Sequence, residues 1–382
     1  KKVVMNRHAH NTLCIAEGKI NAGMPYLEED VSGAVSSYEF LPSWFFYTPV
    51  VLQSLMLAVR YGDVRLPLIV NPTIFLSGMV GESKHDILSL AGPIAAPWIS
   101  PFISMIKTAD SVDEQEMQAQ NALAEANLSF PIVAKPDLGC RGVGVKLLKN
   151  TQQLKAYIAS YPDNARFLLQ EKAPYEAEAG VFYVRHPNES KGKIISITLK
   201  YTPSVVGDGV KTLKELIEQN PRAGQLSHLY LPRHQDRLDW VIPAGQEFQL
   251  AFAGSHSRGS IFRDGNQYIS EGLTQKLDTI LADVDGYYYG RLDIKFRDIN
   301  SFMAGEHFTI LELNGASSEA AHIWDRKTPL KEIYKTLLAQ YRTLFEIGAA
   351  QKKRGYQPPS LKTLISAWKE EKALMKQYPM TD

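Results

Sequence analysis

Residues 133–148 read VAKPDLGCRGVGVKLL, and the order of their glycines decides how the chain folds around them. Gly139, Gly142 and Gly144 make G-x-x-G-x-G, the reverse of the dinucleotide fingerprint G-x-G-x-x-G. Gly139 and Gly144 also have the separation of a P-loop, but Val145 stands where that loop needs its lysine. Both of those motifs join a strand to a helix, so that the helix N-terminus faces the phosphates. Here FPIVAKP and GVGVKLLK flank the glycines and each reads as a strand, while the helical TQQLKAYIASY, opened by Thr151, comes only afterwards. The glycines are therefore expected at the tip of a hairpin, as a flap. Without Cβ atoms its backbone N–H groups can approach an anion closely. Lys135, one strand-length earlier, can offer its ammonium to the same anion. A plain glycine-rich turn would carry the same letters.

Partners for the flap lie far downstream. GRLDIKF (290–296) sets Arg291, Asp293 and Lys295 on one face of a strand by the period of two, and FTILELNG (308–315) does the same with Glu312 and Asn314. If the two strands are adjacent, these groups converge. Oxygen donors of this kind suit Mg²⁺, which takes a few protein oxygens and completes its shell with phosphates and water. Asp293, Glu312 and Asn314 would be the ligands, with Arg291 beside them to stabilise transferring charge. Alternating polar residues also mark a solvent-facing sheet surface, and Leu292, Ile294, Leu311 and Leu313 fit either account.

The rest of the chain reads as α+β with much antiparallel sheet. RLPLIVNP (65–72) is expected as a strand, followed by a helix from Glu82 in ESKHDILSLA, where Ser83 would serve as a cap. The proline-rich GPIAAPWISP (92–101) marks a boundary, and DEQEMQAQNALAEANL (113–128) a helix. FLLQEK, GVFYVRHP and KIISITLKYTPSVV read as strands, TLKELIEQN as a helix, EFQLAFAG as a strand, and 360–378 as an amphipathic helix. With 42 Lys+Arg against 41 Asp+Glu, no global field invites nucleic acid. Cys14 and Cys140 make neither a disulfide framework nor a zinc site. The opening KKVVMNRHAH is not followed by the apolar run of a signal peptide, so a cytoplasmic protein is expected. LPSWFFYTPVVLQSLMLAV (41–59) approaches spanning length but is interrupted by Pro42, Pro49 and polar residues. It reads as a buried or interfacial helix. A lipid-facing surface with peripheral membrane association, or a substrate-facing one, is the alternative, because Trp44, Phe45, Phe46 and Tyr47 cluster at its start.

Taken in order, VAKPDLGCRGVGV, FLLQEKAPYEAEAGVFYV, GRLDIKF and ILELNGASS resemble the ATP-grasp superfamily, most of all its D-alanine–D-alanine ligase and cyanophycin synthetase branches. YTPSVVGDGVKTLKELI (201–217) and PAGQEFQLAFAGSHSRGS (243–260) are similar to a segment that cyanophycin-synthetase-like ligases carry between their nucleotide motifs. The resemblance covers residues 98–345. It implies an ATP-grasp fold: two α+β subdomains clamping ATP, at 98–174 with the flap and at 175–345 with the metal site. A smaller α/β N-terminal domain (1–97) would precede them and a helical extension (346–382) follow.

The resemblance also assigns roles. Lys135 would bind the ATP phosphates under the flap of Gly139, Gly142 and Gly144. Glu171 would meet the adenine amino group with the backbone at Lys172 and Ala173, and Glu178, or its neighbour Glu176, the ribose. Asp293, Glu312 and Asn314 would hold Mg²⁺, two ions by analogy and Mn²⁺ as an alternative, and Arg291 would meet the γ-phosphate. Lys107 is the candidate for the family's earlier phosphate lysine, a surface lysine being the other reading. Lys200 is placed like the lysine of its central loop. His256, Ser257, Arg258, Ser317 and Ser318 are candidate substrate contacts or turn residues. SGMVGESKHDI (77–87) stands nearest to the glycine-rich segment that D-alanine ligases carry early in the chain. The implied activity is ATP-dependent carboxylate–amine ligation through an acyl phosphate. A kinase-like phosphotransferase is the alternative. Substrates would be a small acid and an amine, amino acid or peptide in kind or a lipid-like acceptor, and a homodimer is the expected assembly.

Overall fold

The glycines close a hairpin, as their flanking strands require. The computed structural model describes residues 19–27, 42–139, 142–252, 254–256 and 259–381. One sheet is built from β1 (Phe102–Ile106), β2 (Ile132–Pro136), β3 (Lys146–Leu148) and β4 (Arg166–Glu171), in the order β1-β4-β2-β3. β2 and β3 pair antiparallel across the glycine loop, with Ala134 opposite Lys146. Then follow β5 (Ala177–Val184), β6 (Lys193–Tyr201), a ribbon of β7 (Ser204–Val206) and β8 (Glu247–Gln249), and β9 (Ile261–Asp264), β10 (Tyr289–Phe296) and β11 (Phe308–Asn314). The second sheet has the order β11-β10-β5-β6-β9, and every pairing in it is antiparallel. Two strands exceed what the sequence suggested. β1 hides behind the prolines of 92–101, and β9 follows a glycine-serine turn and is four residues long.

Ahead of β1 the described residues are helix and turn: α1 (Ser43–Phe46), α2 (Thr48–Tyr61) and α3 (Lys84–Leu88). The strand expected at 65–72 is instead a 3-10 turn over Leu66–Ile69, all four residues buried. Pro67 and Pro72 remove ladder donors at both ends of that run, so an apolar stretch that reads as a buried strand packs as a buried turn. In the expected α/β N-terminal unit this run had been the strand. Within 41–59, the described residues from Ser43 on are largely helical, and among them Phe46, Val50 and Leu57 are buried while Val51, Leu52, Leu55, Met56 and Val59 are exposed. Among the described residues no helix is long and apolar enough to cross a membrane.

The remaining helices cover the sheets. α4 (Val112–Glu125) is opened by a reciprocal capping box between Ser111 and Glu114, and α5 (Thr151–Ser160) by Asn150, one residue before the expected Thr151. Leu123, Leu154, Tyr157 and Ile158 from these two helices enclose a core with Ile132, Phe167 and Leu169 of the first sheet. Residues 204–251 form a small lobe of their own, in which α6 (Leu213–Gln219) and α7 (Ser227–Arg233) lie with the β7–β8 ribbon around Leu213, Ile217, Tyr230 and Leu250. α8 (Glu271–Ala282) and α9 (Ile299–Met303) cover one face of the second sheet, where Leu277 and Phe302 meet Val181, Leu292 and Ile294. On its other face α10 (Leu330–Lys353) lays Leu344 and Ile347 against Phe182, Val184 and Tyr289. α11 (Leu361–Met375) returns to the first sheet.

Candidate active site

That other face of the second sheet changes character along its strands. Phe182, Val184 and Tyr289 lie under α10, but the same face continues through Glu178, Gly180, Arg291, Asp293 and Lys295, by the alternation of β5 and β10. β10 and β11 are neighbours, with Asp293 opposite Glu312 and Arg291 opposite Asn314. The convergence that spacing could only make conditional is therefore present. The solvent-face reading fails, because Asp293 and Lys200 are buried.

The charges are held in one connected set. Lys200 Nζ lies 2.8 Å from Asp293 and 3.2 Å from Glu178. Arg291 donates to Asp293 at 3.0 Å, and Lys295 lies 3.6 Å from the second oxygen of Glu178. Gly180 makes the room: a Cβ there would stand 3.1 Å from Arg291 and 3.4 Å from Lys200. Burial alone would raise the Asp293 carboxyl, but the Arg291 guanidinium and the Lys200 ammonium override it and hold Asp293 well below the usual carboxylate range. Lys200 is likewise pulled down by burial and carried back above its ordinary value by Asp293 and Glu178.

A second knot joins the glycine loop to β11. Lys84, at the start of α3, lies 3.2 Å from Glu312 and donates to the Gly139 carbonyl at 2.8 Å. Burial lowers it, and Glu312 and Glu82 raise it beyond that loss. Burial pushes the Glu82 carboxyl up to about 8 against the pull of Lys84, and its oxygen accepts from Gly315 N–H at 3.0 Å. Lys135 reaches from β2 to the Leu311 carbonyl at 3.0 Å, and burial pulls its ammonium down to about 8. Ser83 caps α3 and also donates to Asp137 at the base of the loop. In the sequence Glu82 and Lys84 stand with Gly81 and Ser83 at an expected helix start where an anion could bind, a Ser83 cap being the simpler reading. The only signal was an acid and a lysine beside a helix start, which is ordinary chemistry until the fold brings it to Glu312.

Glu82, Lys84, Lys135, Glu178, Lys200, Arg291, Asp293, Lys295 and Glu312 line one cleft of about 2380 Å³ between the two sheets, as do Gly139 and Gly142. Glu171, Lys172, Ala173 and Glu176 line it as well. The Glu171 backbone is tied back, its N–H to Pro101 and its carbonyl to Ser100. Both oxygens of Glu178 are engaged by lysines. His256 faces Phe262 and Trp324, with ring centroids 5.1 and 6.2 Å away, and these rings and Ser317 and Ser318 close the far end of the cleft. Ser257 and Arg258 fall outside the described residues. Lys107 does not join the site. β1 runs antiparallel to β4 with Phe102 opposite Gln170 at the cleft, so Lys107 leaves the sheet at the other end, where it pairs with Asp163 at 3.0 Å.

Magnesium fits the donors on hand. Asp293, Glu312 and Asn314 offer two carboxylates and an amide oxygen on adjoining strands, a small oxygen set of the kind that ion accepts. Among the described residues no three His, Cys, Asp or Glu side chains gather as a metal cluster.

No family model matches the chain. A curated relative, cyanophycin synthetase from Synechocystis sp., is 24% identical over 215 residues, which is 51% of this chain and 24% of that protein. The chain thus spans about a quarter of the length of the curated relative it matches. Among solved structures, the bifunctional glutathione synthetase from Pasteurella multocida has 18% identity and a TM-score of 0.34, over 67% of this chain and 36% of that one. D-alanine–D-alanine ligase from Bacillus anthracis has 12% identity and a TM-score of 0.38, over 74% of this chain and 72% of that one. The chain is similar, in these comparisons, to members of both branches that its motifs resemble: cyanophycin synthetase and the D-alanine–D-alanine ligases.

Proposed function

We propose that this protein is an ATP-dependent carboxylate–amine ligase that makes an amide or peptide bond and releases ADP and phosphate. The observation that carries the reading is the charge balance of the cleft. Lys84, Lys135, Lys200, Arg291 and Lys295 converge there against Glu178, Asp293 and Glu312, while Glu82 is held largely protonated at neutral pH by a carboxyl value of about 8. A buried surplus of cation beside a glycine loop suits a polyphosphate, whose own charge completes the balance.

Each side chain has a task in that reaction. Lys135 and the loop hold the phosphates, and the segment Glu171–Ala173 takes the adenine. Glu178 keeps Lys200 and Lys295 in place and contacts the ribose at the edge of that pair. The substrate carboxylate attacks the γ-phosphorus; the bond to ADP breaks and an acyl phosphate forms. An amine then attacks the acyl carbon and inorganic phosphate leaves. Arg291 and Lys200 neutralise the charge that builds on the transferring oxygens, and their pairing to Asp293 fixes them before the reaction. Asp293, Glu312 and Asn314 would hold Mg²⁺, which would supply further neutralisation of the phosphate oxygens. The acid and amine are small molecules of amino-acid or peptide kind, bound toward His256, Ser317 and Ser318.

The test is incubation with Mg·ATP and pooled amino acids, short peptides and amines, following ADP and phosphate, with hydroxylamine to trap the acyl phosphate. Amine-dependent ADP release, lost in the Asp293→Ala/Glu312→Ala double variant, is expected. ADP release indifferent to any amine would replace the ligase with a kinase-like phosphotransferase.

A further inference from the structure

The glycine loop is gripped by a part of the chain that no nucleotide motif includes. Beyond α11, the Thr381 hydroxyl accepts from Gly144 N–H and donates to the Gly142 carbonyl, each at 2.9 Å. One side chain thus bridges two loop residues from 237 positions away in sequence. Thr381 is buried, so water does not compete for the hydroxyl. The Gly144 carbonyl accepts from Tyr157 at 3.1 Å, so both backbone groups of the third glycine have partners outside the loop.

The segment that delivers the hydroxyl is itself anchored. Tyr378 stacks on Tyr161 with centroids 5.4 Å apart and packs into the core of the first sheet. Glu371 on α11 accepts from Gly81 N–H at 2.6 Å. The loop in turn is shaped to receive it. Gly139, Gly142 and Gly144 have φ of 126°, 70° and 74°, conformations that side chains resist. A Cβ on Gly139 would stand 3.4 Å from the Tyr378 ring, and one on Gly144 3.1 Å from the Tyr378 Cβ. The glycines make room for this tail as well as for an anion.

We propose that Thr381 is a positioning residue for nucleotide: its hydroxyl staples Gly142 to Gly144 and fixes the shape of the loop before phosphate arrives. The proposal rests on the ATP-binding role given to the loop above. Three glycines in left-handed conformations form a segment with much freedom to lose, and binding a polyphosphate through its N–H groups requires that freedom to be lost. A loop already held in shape loses less of it on binding.

The test compares Thr381→Val, which keeps the shape and removes both hydrogen bonds, with Thr381→Ser, which restores the hydroxyl, in the full chain. Amide hydrogen exchange is read at Gly142–Val145 without nucleotide, and the affinity for Mg·ATP by calorimetry. Thr381→Val is expected to speed loop exchange and weaken Mg·ATP, each by about tenfold, with exchange in the second sheet and Tm unchanged. Thr381→Ser should return both readings to within about twofold of wild type. Unchanged loop exchange in Thr381→Val overturns the staple, and tighter Mg·ATP binding overturns positioning in favour of obstruction. If exchange responds but the wild-type protein does not bind Mg·ATP, the nucleotide reading of the loop fails, positioning for nucleotide fails with it, and the structural staple remains.

Discussion

Lys200 is the residue on which the charged face turns. Its ammonium serves two carboxylates at once, the buried Asp293 and the half-buried Glu178, and each has a second cation in Arg291 or Lys295. Replacing one member of a buried ionic set leaves charge without a partner, which costs more than the pair is worth against apolar residues of similar shape. Lys200→Met is therefore expected to lower stability by roughly 2–4 kcal/mol in urea denaturation and to reduce ATP turnover at least a hundredfold at saturating substrate. Full activity in that variant would remove Lys200 from the chemistry. At this scale the sequence was most informative where chemistry repeats within a strand. The period of two put Arg291 and Asp293 on one face, and Glu312 and Asn314 on another, without any knowledge of the partner strands. It was least informative where a residue acts through a distant neighbour. Lys84 joins the cleft because α3 lies against β11, a contact between segments far apart in the chain, and Lys107, just past the end of β1, pairs instead with Asp163 outside the cleft.

Among the elements, the lobe of residues 204–251 has its own titration. His234 donates from Nε2 to the Leu250 carbonyl at 3.0 Å and sits edge-on to Phe248. Burial pulls its imidazole down to about 4 from an ordinary 6.5. As pH falls through 6.5 the unfolded chain takes up a proton that the folded lobe refuses until about 4. Stability is thus complete above that window and falls within it, by at most about 3 kcal/mol. Denaturation followed by the fluorescence of Trp240 should show the loss between pH 7 and 4.5, and His234→Gln, which keeps the hydrogen bond, should flatten it. An unchanged pH profile in that variant would assign the acid sensitivity elsewhere. Elements were legible where their signals are local. The capping boxes at Ser111 and Thr212 begin α4 and α6 close to where the sequence placed them. The run 65–72 misled because periodicity cannot distinguish a short buried strand from a short buried turn, and its two prolines were the evidence against a strand.

For the molecule as a whole, the cleft divides the first sheet from the second and is closed at its margins by parts of the chain that the motifs do not cover. Saturating Mg·ATP should stabilise both sheets together, since Lys135 comes from one and Lys200, Arg291 and Asp293 from the other. At a hundred times Kd the gain is about 2.7 kcal/mol, which for a chain of this size is a rise in Tm of a few degrees. Differential scanning fluorimetry with and without Mg²⁺ measures it, and no shift in either condition would count against the nucleotide cleft. The two sheets, their antiparallel pairing and the loop between strands followed from the motif order. The packing of the last helix and its tail did not, because nothing in SLKTLISAWKEEKALMKQY beyond its amphipathic period says which surface it covers.

The contact between Thr381 and Gly144 also sets an order of events during folding. The strands on both sides of the loop, with α4 and α5 that pack on them, are complete in sequence long before residue 381 is made. As the chain is synthesised from its N-terminus, the strands beside the loop can pair with the loop still free, and the clasp must wait for a residue 237 positions further on. A nascent or prematurely terminated chain would therefore hold paired strands with an unclasped loop. Contacts of such long sequence separation form late. The arrival of the tail is accordingly a maturation step, one that separates a chain whose strands have paired from one whose glycine loop is set.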